Sequence, residues 1–83
     1  MTFAELQQRL LDHLRRRIQS GETTERGLAR LAGVSQPHLH NVLKGRRVLS
    51  IEMADGILRN LEIGVFDLME AGEWDAWRER SRR

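Results

Sequence analysis

Apolar residues recur at helical spacing along most of this chain, and polar turn residues interrupt them at intervals. Phe3, Leu6, Leu10, Leu14 and Ile18 return every three or four positions, with Leu11 beside the stripe, so residues 2–19 are predicted to be helical. Thr2 stands at the N-cap with Glu5 three residues on, the spacing of a capping box. Arg15, Arg16 and Arg17 suit the negative end of the helix dipole, as a solvated helix end, and Gly21 stops the helix. A second helix is expected from Thr23 or Thr24 to about Ala32, with small Ala29 where it crosses a neighbour and Gly27 inside it at a cost of up to ~1 kcal/mol. Gly33 supplies the backbone freedom of a sharp turn, Val34 plugs the turn, and Ser35 caps a third helix over residues 35–44. Pro37 falls in the first turn of that helix, where its missing N–H costs nothing. Leu28, Leu31, Ala32, Val34, Leu39, Val42 and Leu43 form the apolar skeleton of this helix pair.

Ser50 and Met53 open a fourth helix whose inward stripe reads Ile51, Ala54, Ile57, Leu58 and Leu61, with Gly56 weakening its interior. After the link at Ile63-Gly64, Val65, Phe66, Leu68 and Met69 predict a short fifth helix that closes the core. Gly72 marks the end of this unit, residues 1–72. Residues 73–83 are a separate tail, in which Trp74 and Trp77 share one face if the segment is helical. The expected fold is all-α: a compact five-helix domain with a short C-terminal extension.

Composition narrows the function. With 83 residues, 40% hydrophobic and 31% charged, the chain suits one small globular domain rather than a disordered segment. It has no cysteine, which excludes disulfides, zinc–thiolate sites and thiol catalysis. No apolar run approaches the ~20 residues of a membrane span, and Glu5, Arg9 and Asp12 stand where a signal peptide needs its apolar stretch. A cytoplasmic chain with no membrane partner is therefore expected. The net charge is only +2, but it is unevenly placed. Residues 35–49 hold Lys44, Arg46 and Arg47 with no acid, whereas residues 50–70 set five acids against Arg59. An acid-free basic block just after the turn marks a candidate face for a polyanion.

Catalytic readings find little. No phosphate-binding glycine loop is present, and the serines have no evident His–carboxylate partnership. His38 and His40, two apart on a helix, point about 200° from each other and do not share one ion easily. Neither an enzyme nor a cofactor is expected.

Thr24-Glu25, Leu28-Ala29, Gly33-Val34-Ser35-Gln36, Leu39, Val42, Lys44-Gly45 and then Ser50 through Leu61 together resemble the helix-turn-helix domain of the phage repressor and Cro family, also called the Xre family, over about residues 20–69. The resemblance implies a lambda-repressor-like domain that binds operator DNA, usually as a dimer. Its helix-turn-helix would span residues 24–45, and residues 35–44 would be the recognition helix. The chain departs from the family pattern where Glu25, Arg26 and Gly27 stand, since Gln or Glu is common there, and in a first helix longer than usual. Glu25 stands where a phosphate-touching Gln is common, and an acid there repels phosphate unless it caps or pairs. Pro37 stands where Ser or Thr is usual, and His40 where a smaller residue is common.

The expected base readers are Gln36 and Asn41, whose amides can make paired hydrogen bonds to adenine. His40 would join them by donating to guanine or phosphate, and Pro37 by lying against a thymine methyl. Lys44, Arg46 and Arg47 are the expected phosphate clamps, joined by Thr24, Ser35 and His38 at the N-terminal ends of the second and third helices. A homodimer is expected, since one helix in one groove gives limited affinity. Phe66, Met69, Trp74 and Trp77 form the candidate dimer or partner surface, with the long first helix as the other option and Arg78–Arg83 as a basic tail. The expected function is a sequence-specific regulator that binds double-stranded DNA and acts as a repressor. The alternative is an antitoxin or protein-interaction module on the same scaffold.

Overall fold

The computed structural model describes residues 2–69 and 71–81, with the side chains of Val65, Phe66, Ala71, Trp74 and Trp77 left out of that description. The fold is all-α. Its elements are α1 (Phe3–Gln19), α2 (Glu25–Ala32), α3 (Gln36–Leu43), α4 (Ile51–Asn60), a 3-10 turn (Val65–Leu68) and α5 (Ala71–Ser81). Among the described residues no helix is long and apolar enough to cross a membrane.

Each of the first four helices starts on a hydroxyl that accepts from a backbone N–H three residues on. Thr2 accepts from Glu5 at 3.1 Å, Thr24 from Gly27 at 3.0 Å, Ser35 from His38 at 3.3 Å and Ser50 from Met53 at 3.1 Å. A helix leaves its first N–H groups without internal partners, so such caps fix where it begins, each contributing about 1 kcal/mol.

The core gathers Leu10, Leu11 and Leu14 of α1, Leu28 and Ala29 of α2, Leu39, Val42 and Leu43 of α3, and Met53 and Ile57 of α4. Leu49, Ile63 and Leu68 close it from the connecting segments. Helix α2 lies at the centre, packed on both α3 and α4. Gly56 of α4 passes close to α2: a methyl there would sit 3.5 Å from the Leu31 carbonyl. Beside it, Asn60 Nδ2 donates to that carbonyl at 3.1 Å and locks the two helices together.

Three apolar residues assigned to the inward stripes face outward. Ile51 is 70% exposed, and Met53 takes its place in the core. Both residues fit a helical period, but positions two apart point in opposed directions, so only one can face inward. Phe3 is also 70% exposed. It lies on the rim of a groove that it lines with Ile51, Ala54 and Leu58 of α4. Leu31 is 37% exposed and contributes its carbonyl rather than its side chain. The short closing helix expected around Val65–Met69 is a 3-10 turn whose start is fixed by Asp67, which accepts from the Gly64 N–H at 2.7 Å.

The tail is helical, and Gly72 lies in its first turn. Arg9 of α1 pairs with both carboxylate oxygens of Glu73, at 2.6 Å between Nη2 and Oε2, and also donates to the Leu68 carbonyl at 3.4 Å. This fork ties α5 to α1. Both side chains are about 30% exposed, which places the pair among ion pairs that contribute roughly 0–1 kcal/mol.

Helix α4 ends in a Schellman turn: the Ile63 N–H donates to the Leu58 carbonyl at 3.0 Å while Glu62 takes a left-handed conformation with φ 55°. A side chain there is strained. Glu62→Gly is expected to raise stability by about 0.5–1 kcal/mol, measured as a shift of a few degrees in the thermal midpoint.

His13 of α1 has a buried Nε2 with no partner among the described residues. Burial pushes its imidazole below the ordinary value, and the Arg17 and Arg16 cations push the same way against Asp67 and Glu22. A depressed histidine favours the folded state above its unfolded value, near pH 6.5, and that contribution is lost as pH falls through the folded value. Urea midpoints should therefore fall between pH 7.5 and pH 5.5, and His13→Leu should flatten that slope.

Candidate nucleic-acid interface

The α2–turn–α3 unit is held by its backbone. Gly33 adopts φ 73°, with open space where a Cβ would sit, so conformation rather than crowding is what calls for glycine here. The N–H groups of Gly33 and Val34 return to the carbonyls of Arg30 and Ala29 at 3.2 and 3.0 Å, and Ser35 then caps α3. Leu39 and Val42 are fully buried. They fix the rotation of α3 about its axis and so decide which residues it leaves outside.

Gln36 and Pro37 are exposed on the first turn of α3, and His40 and Asn41 are half-buried one turn on. These four residues and Glu25 line one shallow hollow on the outside of the α2–α3 junction. The expected reading residues are thus brought together on one edge. Thr24 and Ser35 sit at the two N-caps. Each hydroxyl oxygen accepts a backbone N–H and keeps its own O–H to donate. His38 is half-buried on the flank of α3.

The basic segment follows directly. The N–H groups of Arg46 and Arg47 donate to the Asn41 carbonyl at 2.8 and 3.2 Å, and Gly45 takes φ 79°. The backbone of Arg46 and Arg47 is therefore pinned to α3, while the side chains of Lys44, Arg46 and Arg47 remain exposed. Cations at this point also suit the negative end of α3.

Two contacts were not foreseen. Arg15, assigned to a solvated helix end, is half-buried. Its Nε donates to the Leu43 carbonyl at 2.9 Å, its Nη2 contacts the same oxygen, and its Nη1 pairs with Asp12 at 2.7 Å. It caps the C-terminus of α3 and braces that helix on α1. The second contact is between Glu25 and His40: His40 Nδ1 lies 3.1 Å from Oε1 and 3.2 Å from Oε2 of Glu25. Glu25 and His40, both departures from the pattern of the resembled family, are thus each other's partners. The signal in the sequence was the acid at the start of α2 with a histidine on the second turn of α3, legible only once the crossing of the two helices is known.

Of the candidate dimer surface, Met69 is half-buried, and the side chains of Phe66, Trp74 and Trp77 lie outside the described residues, as do Arg82 and Arg83. No protein-family model, curated protein or solved structure matches the chain.

Proposed function

We propose that this protein is a sequence-specific double-stranded DNA-binding regulator of the phage repressor and Cro kind, working in the cytoplasm as a repressor-like homodimer. The observation that carries the reading is the arrangement of α3. Its buried face is aliphatic, Gln36, Pro37, His40 and Asn41 share its outer edge, and three exposed cations follow at its end, the backbone of Lys44 tied to His40 and that of Arg46 and Arg47 to Asn41. An α-helix fits the major groove, where base edges carry a distinct code of donors and acceptors. Gln36 and Asn41 supply the amides for that code. Lys44, Arg46 and Arg47 neutralise phosphates, and Thr24 and Ser35 donate to the backbone from the helix N-termini. Two copies would engage half-sites about 34–36 Å apart.

The test is a duplex titration across sequence variants. Gln36→Ala should relax preference at one base pair by about 1–3 kcal/mol while leaving non-specific binding nearly intact. If all sequences weaken equally, Gln36 positions the helix rather than reading it.

A second reading is a protein-interaction module on the same scaffold, such as the antitoxin half of a toxin–antitoxin pair. It draws on Phe3, Val48 and Ile51, large apolar residues at 70, 83 and 70% exposure. Phe3 and Ile51 line one groove between α1 and α4. Failure to bind any duplex would favour this reading.

A further inference from the structure

The Glu25–His40 pair has a chemical consequence for what α3 reads. A carboxylate only accepts hydrogen bonds, and His40 Nδ1 faces both oxygens of Glu25 at 3.1 and 3.2 Å. Nδ1 must therefore carry the hydrogen. In a neutral imidazole the other nitrogen then holds a lone pair. Nε2 has no partner among the described residues, and the side chain is 43% exposed beside Gln36, Pro37 and Asn41. A neutral His40 thus presents an acceptor at this position, where the sequence suggests a donor to guanine or phosphate.

We propose that Glu25 is a positioning residue: it fixes the tautomer of His40 so that Nε2 accepts from an exocyclic amine, adenine N6 or cytosine N4, and rejects guanine. In the major groove guanine offers only acceptors at N7 and O6, and thymine an acceptor at O4 and a methyl group. A lone pair facing either is unfavourable. The readout half of this inference rests on α3 lying in the major groove; the tautomer half does not.

The tautomer is read without DNA. In the full-length chain labelled with nitrogen-15 histidine, long-range proton–nitrogen spectra at pH 8, well above the ordinary imidazole value, should show His40 protonated at Nδ1 and bare at Nε2. Glu25→Ala should move the hydrogen toward Nε2 and leave the ring signals of His13 and His38 in place, which a general loss of structure would not do. Duplex competition at the same pH should then show a roughly fivefold preference for adenine or cytosine at one position, lost in both Glu25→Ala and His40→Ala. A wild-type ring protonated at Nε2 overturns the proposal. So does a ring unmoved by Glu25→Ala, or a His40-dependent preference for guanine or thymine. A correct tautomer with no duplex bound at low salt overturns the DNA reading and the readout with it, and leaves the pairing standing.

Discussion

Leu39→Ala is expected to lower stability by about 3 kcal/mol, and with it the thermal midpoint by roughly 12–24 °C. Leu39 is fully buried on the inner face of α3, in the same core as Val42, Leu43 and Leu28. Truncation removes the transfer free energy of the deleted carbons and leaves a cavity that tightly packed helices refill only in part. A domain of 83 residues has little reserve, so a loss of this size takes a large share of its total stability. Leu39→Met, which conserves volume and polarity, should cost less than about 1.5 kcal/mol. Chemical denaturation of both variants checks the pair of values. Equal effects would mean that α3 is not seated on the core through this residue.

Replacing Lys44, Arg46 and Arg47 together by alanine is expected to reduce duplex affinity by about 10²–10³-fold at 0.1 M salt and to lower the salt slope by about 3. Each cation that neutralises a phosphate releases bound counterions, which contributes close to one unit of log–log slope and nearly tenfold in affinity at that concentration. All three side chains are exposed, and their backbone holds the turn after α3, Lys44 through the His40 carbonyl and Arg46 and Arg47 through the Asn41 carbonyl. Alanine keeps those backbone bonds, so the variant should fold normally by circular dichroism. The loss should be the same for preferred and random duplexes, because phosphate contacts position a protein without reading sequence. A loss confined to the preferred duplex would reassign these residues to base contact.

The parts of the fold that follow local rules were legible in the sequence. Thr24, Gly33, Ser35 and Pro37 each act within four residues of where they stand, and the bounds of α2 and α3 follow from them. The inner face of α3 follows as well, since Leu39, Val42 and Leu43 are the aliphatic residues of that short helix. What needed the structure is set by how helices cross. Arg15 reaches a carbonyl 28 residues away, and Glu25 meets a histidine 15 residues away. No spacing rule encodes either contact. Ile51 and Met53 compete for one inward position, and period alone does not choose between them. The sequence allows a helical tail but places its start after Gly72, which reads as a stop, whereas α5 begins at Ala71. Glycine is costly in the middle of a helix but much less so in the first turn, and Gly72 is the second residue of α5.

The pairing of Glu25 with His40 also changes how the acid at the start of α2 is understood. Alone, a carboxylate at this end of the unit repels a phosphate. Held by His40, it is half-buried and faces a side chain on the proposed reading edge. It also lies in the first turn of α2, where negative charge suits the helix dipole.

The most direct measurement is a selection of preferred duplexes from a random pool by the full-length chain at low salt, repeated with Gln36→Ala. The expected result is an enriched sequence bound in the micromolar range or tighter, with affinity falling as salt rises and with preference at one base pair lost in the variant. No enrichment, together with no duplex binding in the micromolar range at low salt, would contradict the assignment of α3 as a DNA-reading helix.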